Sequence, residues 1–346
     1  MSDHFEQLLA AYRSGELSPE RIRLEADVNP PAPDDILNLD HISSIAWQQL
    51  AAEGRAAVAQ GQVAAVILAG GMATRFDFDA PKGLFPILPP MSFLEIKVRS
   101  LCSEGIPLLI MTSFHTHEAI ETFLNQHDWF GFRDQISLFQ QFRLPRIRPD
   151  GEIRSVNGET DYATAGHGDF VEALQESGLL ADFLARGGKY LLFSNIDNLG
   201  ASFEPVLLGL HLQQQAEMSI EVAAKAPGDK GGAPARVNDR LQLVEEFLFP
   251  ADFDQNQIQV FNTATYIFSA EALQGEHALP WYVVKKQVDG EPVLQFEHLA
   301  GDLSRSLRIS CVQVPRETRF LPVKQIEDVE TLQPLLRKKY ARLLRD

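Results

Sequence analysis

The chain has 346 residues, 45% hydrophobic and 23% charged, with 31 Lys and Arg against 47 Asp and Glu, for a formal net charge of −16. Such a composition can bury a large core and excludes a mainly disordered chain, and its acidity argues against binding along a nucleic-acid backbone. Two distant cysteines, Cys102 and Cys311, argue against a disulfide framework or a cysteine zinc site; no apolar run approaches the ~20 residues of a membrane span.

In chain order, residues 1–60 read as a helical N-terminal segment. Phe5, Leu8, Leu9 and Tyr12 recur at helical spacing, and Ser18-Pro19-Glu20 resembles a second helix start with proline in its first turn. Ile45–Val58 reads as a further helix, closed by Gly61. The start of the chain shows no basic or apolar leader, so a cytoplasmic setting is expected.

From residue 61 the texture changes. Residues 63–68 (VAAVIL) form a continuous apolar run, as in a strand covered on both faces. Similar runs follow at 107–112, 190–194, 219–223 and 258–268, with helical periodicity at 93–101, 118–125 and 170–179. Strands alternating with helices predict an α/β, doubly wound (Rossmann-like) sheet. Residues 143–160, rich in Arg, Pro, Gly and Asp, predict an exposed loop. Residues 241–247 and 293–296 predict a small antiparallel region in which the two segments pair, and 326–344 a closing helix.

The first buried strand ends in Leu68-Ala69-Gly70-Gly71, followed by Arg75 and by Pro81-Lys82-Gly83. Adjacent glycines at the carboxyl end of a strand let backbone N–H groups approach a ligand, and two cations nearby suit a polyphosphate. The spacing fits neither the P-loop nor the dinucleotide fingerprint.

LAGGxxTR followed by PKG resembles the signature of the UDP-sugar pyrophosphorylases. The blocks around Gln141, Gly166-His167-Gly168-Asp169, Ser194-Asn195-Ile196-Asp197-Asn198, Lys230-Gly231-Gly232, Phe261-Asn262-Thr263, Leu294-Gln295-Phe296-Glu297 and Phe320–Lys324 resemble the same family in order, closest to its UTP–glucose-1-phosphate uridylyltransferase branch. The resemblance implies a nucleotidyltransferase catalytic domain over 61–320 and a C-terminal lysine-bearing segment and helix over 321–346. Because the chain stops soon after the last block, no C-terminal β-helix domain is expected, and a monomer or weak oligomer is.

The implied partners are UTP and a hexose 1-phosphate, with no nucleic acid and no membrane, and Mg²⁺ as cofactor. By resemblance the Leu68–Gly71 backbone, Gln141 and Gly166 bind the nucleotide. His167, Asn195, Asn198, Lys230 and Asn262 bind the sugar. Arg75, Lys82 and Lys324 are the catalytic cations, and Asp197 is the metal ligand. The neighbouring Asp169 is expected to cap the helix that starts at Phe170. The sugar-side blocks favour glucose 1-phosphate, although Gly61–Gly71 resembles the N-acetylhexosamine enzymes, whose substrate is the alternative. Ala73 and Asp77 stand where the family has glycine, and Asp79 adds a further carboxylate. A Cβ and two negative charges near a triphosphate would oppose its binding, which raises a third reading, a non-catalytic UDP-sugar-binding protein.

Overall fold

The computed structural model describes residues 2–344 apart from 20, 21, 227, 228 and 230. Eight strands form one sheet: β1 (Ile36–Asn38), β2 (Val63–Leu68), β3 (Leu108–Thr112), β4 (Ile136–Gln140), β5 (Tyr190–Asn195), β6 (Met218–Ala224), β7 (Val260–Ser269) and β8 (Ile309–Gln313). Their spatial order is β1-β8-β6-β7-β5-β2-β3-β4. All neighbours run parallel except at β7, which lies antiparallel between β5 and β6. The sheet is therefore the expected α/β type with one strand reversed near its middle.

β2 shows why its sequence is apolar throughout. All six residues are buried, and alternate side chains enter different cores. Val63, Ala65 and Ile67 join one core, and Ala64, Val66 and Leu68 the other. The first core is covered by helices α2 (Ser44–Ala59), α3 (Phe93–Cys102), α4 (His117–Gln126), α7 (Pro205–Gln214) and α8 (Ile326–Lys339). The second is covered by α5 (Phe170–Glu176) and α6 (Leu179–Ala185) together with the Ala233–Val237 and Arg240–Val244 hairpin. Serine side chains cap two of these helices: Ser43 Oγ accepts from Ala46 N–H and Ser92 Oγ from Glu95 N–H.

A third, smaller core joins α1 (Ser2–Arg13) to the site side of the molecule. Phe5, Leu8 and Leu9 pack on Leu144, Ile147, Val283, Leu294 and Phe296. The last three belong to the Tyr282–Val288 and Glu291–Glu297 hairpin.

Several expectations change. Residues 1–60 are not a purely helical unit: β1 pairs with β8 at the sheet edge, and Val28–Asn29 pairs with Ala233–Val237. The expected helix start at Ser18–Glu20 reaches residues outside the described ones, and residues 22–27 carry no helix. The 143–160 segment is not a plain loop. Arg143–Pro145 pairs with Tyr162–Thr164, Ser155–Val156 pairs with Glu159–Thr160, and Arg154 is buried against Asp161. Segments 241–247 and 293–296 do not pair with each other. Each pairs with its own sequence neighbour, because a hairpin closes with less lost chain entropy than a distant contact. The predicted 170–179 helix breaks at Ser177-Gly178 into α5 and α6. No described helix is long and apolar enough to cross a membrane.

Candidate active site

Parallel pairing sets the site. Leu68 of β2 lies opposite Asn195 of β5 and Met111 of β3, so the loops leaving these strands emerge side by side at their carboxyl ends. Gln141 follows β4, its N–H bound to Thr112 O. A cavity of about 300 Å³ opens there. Its walls are Leu68, Gly70, Gly71 and Lys82 from the glycine loop, Met111 and Gln141, Thr164, Gly166 and His167, then Asn195, Ile196 and Asp197, with Glu297 from the hairpin.

The glycine loop is folded back on itself: Lys82 N–H donates to Gly71 O, and Met72 bridges Pro81. This returns the Lys82 side chain to the cavity, where Nζ lies 2.5 Å from Asp197 Oδ2 and 5.3 Å from the Phe76 ring centre. Asp197 is held from behind, because Val323 N–H donates to its carbonyl at 3.2 Å. The pair leaves one cation and one carboxylate facing the same space.

Gly70 and Gly166 are required by close approach. A Cβ on Gly70 would lie 2.2 Å from Gln141 Oε1. Gly166 has φ +85°, and a Cβ there would lie 2.5 Å from His298 O. Gln141 Nε2 reaches Gly166 O at 3.5 Å, so the amide spans the gap between these two glycines. His167 Nδ1 accepts from Ala300 N–H at 3.0 Å, which leaves the ring proton on Nε2. Burial lowers its pKa to about 4, so the ring is a neutral donor near pH 7.

The expected site residues divide. Leu68, Gly70, Gly71, Lys82, Gln141, Gly166, His167, Asn195 and Asp197 line one cavity. Ala69 is buried beside it, its N–H on Met111 O. Arg75 is exposed on the Thr74–Phe76 turn and does not line the cavity. Lys324 is also exposed and outside the lining; it follows Val323, the residue bound to Asp197, and its charge is felt at Asp229. Lys230 lies outside the described residues.

Asn198 is corrected from sugar reader to staple. It is 2% exposed; Oδ1 accepts from Gly200 and Leu321 N–H groups, and Nδ2 donates to Arg319 O and Thr265 Oγ1. Asn262 is similarly committed, to Tyr266 OH and Ala264 N–H, and does not line the cavity. Asp169 does not cap α5. Its Oδ2 accepts from Phe142 N–H at 2.7 Å, and burial pushes its pKa well above the usual carboxylate value. Ala73 places its methyl in the first core rather than in the cavity. Asp77 adopts φ 49°, where glycine is favoured and aspartate tolerated, and both it and Asp79 are exposed outside the lining.

Glu297 is a cavity residue to which the sequence assigned no role. It lies 3.7 Å from Lys286 across the hairpin. Its place in the Leu294–Glu297 block was the available signal. Among the described residues no group of three or more His, Cys, Asp or Glu is placed to hold a metal. The donor set here, Asp197 in a cavity open to phosphates, fits Mg²⁺, which takes one or two carboxylates and completes its shell with phosphate oxygens and water.

A family model described as UTP–glucose-1-phosphate uridylyltransferase matches residues 2–340. The chain is 27% identical to a UTP–glucose-1-phosphate uridylyltransferase 2 of Dictyostelium discoideum over 88% of its own length, and spans 64% of that relative. A mutant UDP-glucose pyrophosphorylase from Leishmania major, solved in complex with UDP-glucose, superposes with TM-score 0.78 at 26% identity, covering 93% of this chain and 73% of that one. A uridine diphosphate N-acetylglucosamine pyrophosphorylase from Trypanosoma brucei, solved with an inhibitor, shares the fold at TM-score 0.76 and 23% identity, over 91% and 74% of the two chains.

Proposed function

The chain belongs to the UTP–glucose-1-phosphate uridylyltransferase family, and from that membership we propose that it transfers uridylyl from UTP to glucose 1-phosphate, giving UDP-glucose and pyrophosphate. The observation that carries the reading is the single cavity in which the glycine-loop backbone, Lys82 paired with Asp197, Gln141 and neutral His167 meet.

An oxygen of the sugar phosphate attacks the α-phosphorus in line, the bond to the β-phosphate breaks, and pyrophosphate leaves with the electron pair. The attacking oxygen is already anionic, so no general base is needed. The obstacle is bringing two anions together, and it is lowered by positioning and fixed charge. Lys82 exchanges Asp197 for a phosphate oxygen. Gln141 offers a donor and an acceptor to the uracil edge. His167 Nε2–H donates to a sugar hydroxyl. Mg²⁺, held by Asp197 with the nucleotide phosphates, would supply charge neutralisation. On this reading Lys324, which follows Val323 but is exposed outside the cavity lining, joins the phosphates once UTP is bound. With Ala73, Asp77 and Asp79 all outside the cavity lining, the motive for a non-catalytic reading weakens. Buried free cysteines, Cys102 and Cys311, agree with a reducing cytoplasm.

The test is pyrophosphate release by purified protein with UTP, Mg²⁺ and either glucose 1-phosphate or N-acetylglucosamine 1-phosphate. Glucose 1-phosphate should give the higher kcat/KM. No release with either sugar at high enzyme concentration would end the catalytic reading, and a preference for the acetylated sugar would replace the substrate.

A further inference from the structure

We propose that Lys97 is a positioning residue for this site: its buried side-chain nitrogen ties together the two ends of the turn that carries Asn195 and Asp197. The inference rests on the uridylyltransferase reading.

Lys97 lies on α3 and is 1% exposed. Its Nζ donates to Ser194 Oγ at 3.2 Å and to Ala201 O at 2.7 Å. Ser194 is the penultimate residue of β5, and Ala201 follows the turn. Between them lie Asn195 and Asp197, both on the cavity wall. One ammonium thus spans a six-residue excursion of the chain whose tip supplies the site.

Packing alone does not account for a lysine here. Its neighbours on the inner face of α3, Leu94, Val98 and Leu101, are apolar and buried. Burying an ammonium with no carboxylate in hydrogen-bond contact is costly, and an apolar side chain of the same length avoids that cost. The charged groups that face Lys97 are Arg319, Lys339, Asp197 and Glu221. Burial and the two cations draw its pKa down to about 7, while the two carboxylates draw it up.

Of these carboxylates, Glu221 is already engaged by Arg319, at 2.9 and 2.5 Å. Asp197 has Lys82, but on the cavity side, where an incoming triphosphate competes for it. When Lys82 turns to phosphate, the bonds from Lys97 to Ser194 and Ala201 still hold the turn that carries Asp197. Anionic reactants in the cavity favour the charged form of the lysine.

The test compares wild type with Lys97→Met and Lys97→Gln. A purely structural lysine would lower the melting temperature when removed. A positioning lysine behaves oppositely: Lys97→Met removes a buried charge and should melt at or above the wild-type temperature. Its kcat should fall 10-fold or more, while KM for UTP and for the sugar phosphate changes less than threefold. Lys97→Gln, which keeps a donor without the charge, should recover part of kcat. A Lys97→Met enzyme with kcat within twofold of wild type overturns the inference. So does a loss of kcat that comes with a fall in melting temperature of more than ~10 °C. If Lys97→Met does not fold, Ser194→Ala, which removes one of the two partners of Lys97 Nζ and keeps the lysine, is judged on kcat: a value within twofold of wild type overturns the inference. Wild type that does not turn over refutes the uridylyltransferase reading, and this inference falls with it; active wild type beside an equally active variant refutes Lys97 alone.

Discussion

If Gln141 reads the base as proposed, Gly70→Ala separates base reading from phosphate binding. The new methyl carbon would stand 2.2 Å from Gln141 Oε1, 3.3 Å from Ser113 Cβ and 3.4 Å from Gln141 Cδ. An ordinary contact needs about 1 Å more, and the atom that must give way is the free end of a flexible side chain. The fold should therefore survive, with a melting temperature within ~3 °C of wild type. The Gln141 amide swings away from the space between Gly70 and Gly166, and the base loses one or two neutral hydrogen bonds. At about 0.5–1.5 kcal/mol each this amounts to about 0.5–3 kcal/mol, a ~2- to 150-fold rise in the UTP dissociation constant. Calorimetry with UTP and with inorganic tripolyphosphate is the assay, since only UTP carries the base. Equal weakening of both ligands, or unchanged UTP affinity, would refute the role of Gln141. Gly166→Ala is the contrasting case. There the methyl meets backbone, His298 O at 2.5 Å and His298 N at 2.9 Å, at a φ of +85°. Backbone cannot swing aside, so this variant should lose stability as well as affinity.

Asn198→Ala leaves the Gly200 and Leu321 N–H groups without their acceptor in a buried place, at about 1–3 kcal/mol each; it should lower the melting temperature, whereas a sugar reader would change KM with stability intact. Lys82→Met removes the one cation in contact with Asp197 among the described residues and should reduce kcat ~10²- to 10³-fold; a loss below fivefold in a steady-state pyrophosphate assay would count against the phosphate role. Lys97 has a pKa near 7 in the fold against 10.5 for the ordinary group, so it is the buried ammonium below about pH 7, and between the two values the unfolded chain holds the proton that the fold has released. Its contribution to stability therefore rises with pH across that window. The wild-type gain in melting temperature from pH 7 to pH 9 should shrink in Lys97→Met, and parallel curves would show that the lysine is not buried as described.

Much of the sheet was legible because its central strands are buried on both faces. β2, β3, β5, β6 and β7 are apolar enough to stand out, as burial between two covering layers requires. β1, with three residues, and β8, where Ser310 and Gln313 interrupt the apolar run, lack that mark. Their places at one edge follow from long-range pairing, which composition does not record. The wrong pairing of 241–247 with 293–296 has a local remedy. Asn238-Asp239 and Asp289-Gly290 both adopt positive φ at the hairpin tips, and such dipeptides are turn formers.

Residue type was read more easily than residue direction. Asn195 and Asn198 sit three positions apart in one turn, chemically identical, yet one faces the cavity and the other is spent on four internal hydrogen bonds. Only the path of the turn distinguishes them. Lys97 left a trace that could have been followed. Leu94, Lys97, Val98 and Leu101 recur at i, i+3, i+4 and i+7, so the lysine stands in the apolar stripe of its helix. A long charged side chain in such a stripe must either reach solvent or find buried partners. Here it finds Ser194 and Ala201, at the two feet of the turn bearing Asp197. Motifs locate the groups that touch a ligand, while a charge out of place in a helical pattern locates the group that holds them. For this chain the second kind of signal points to the same turn as the first.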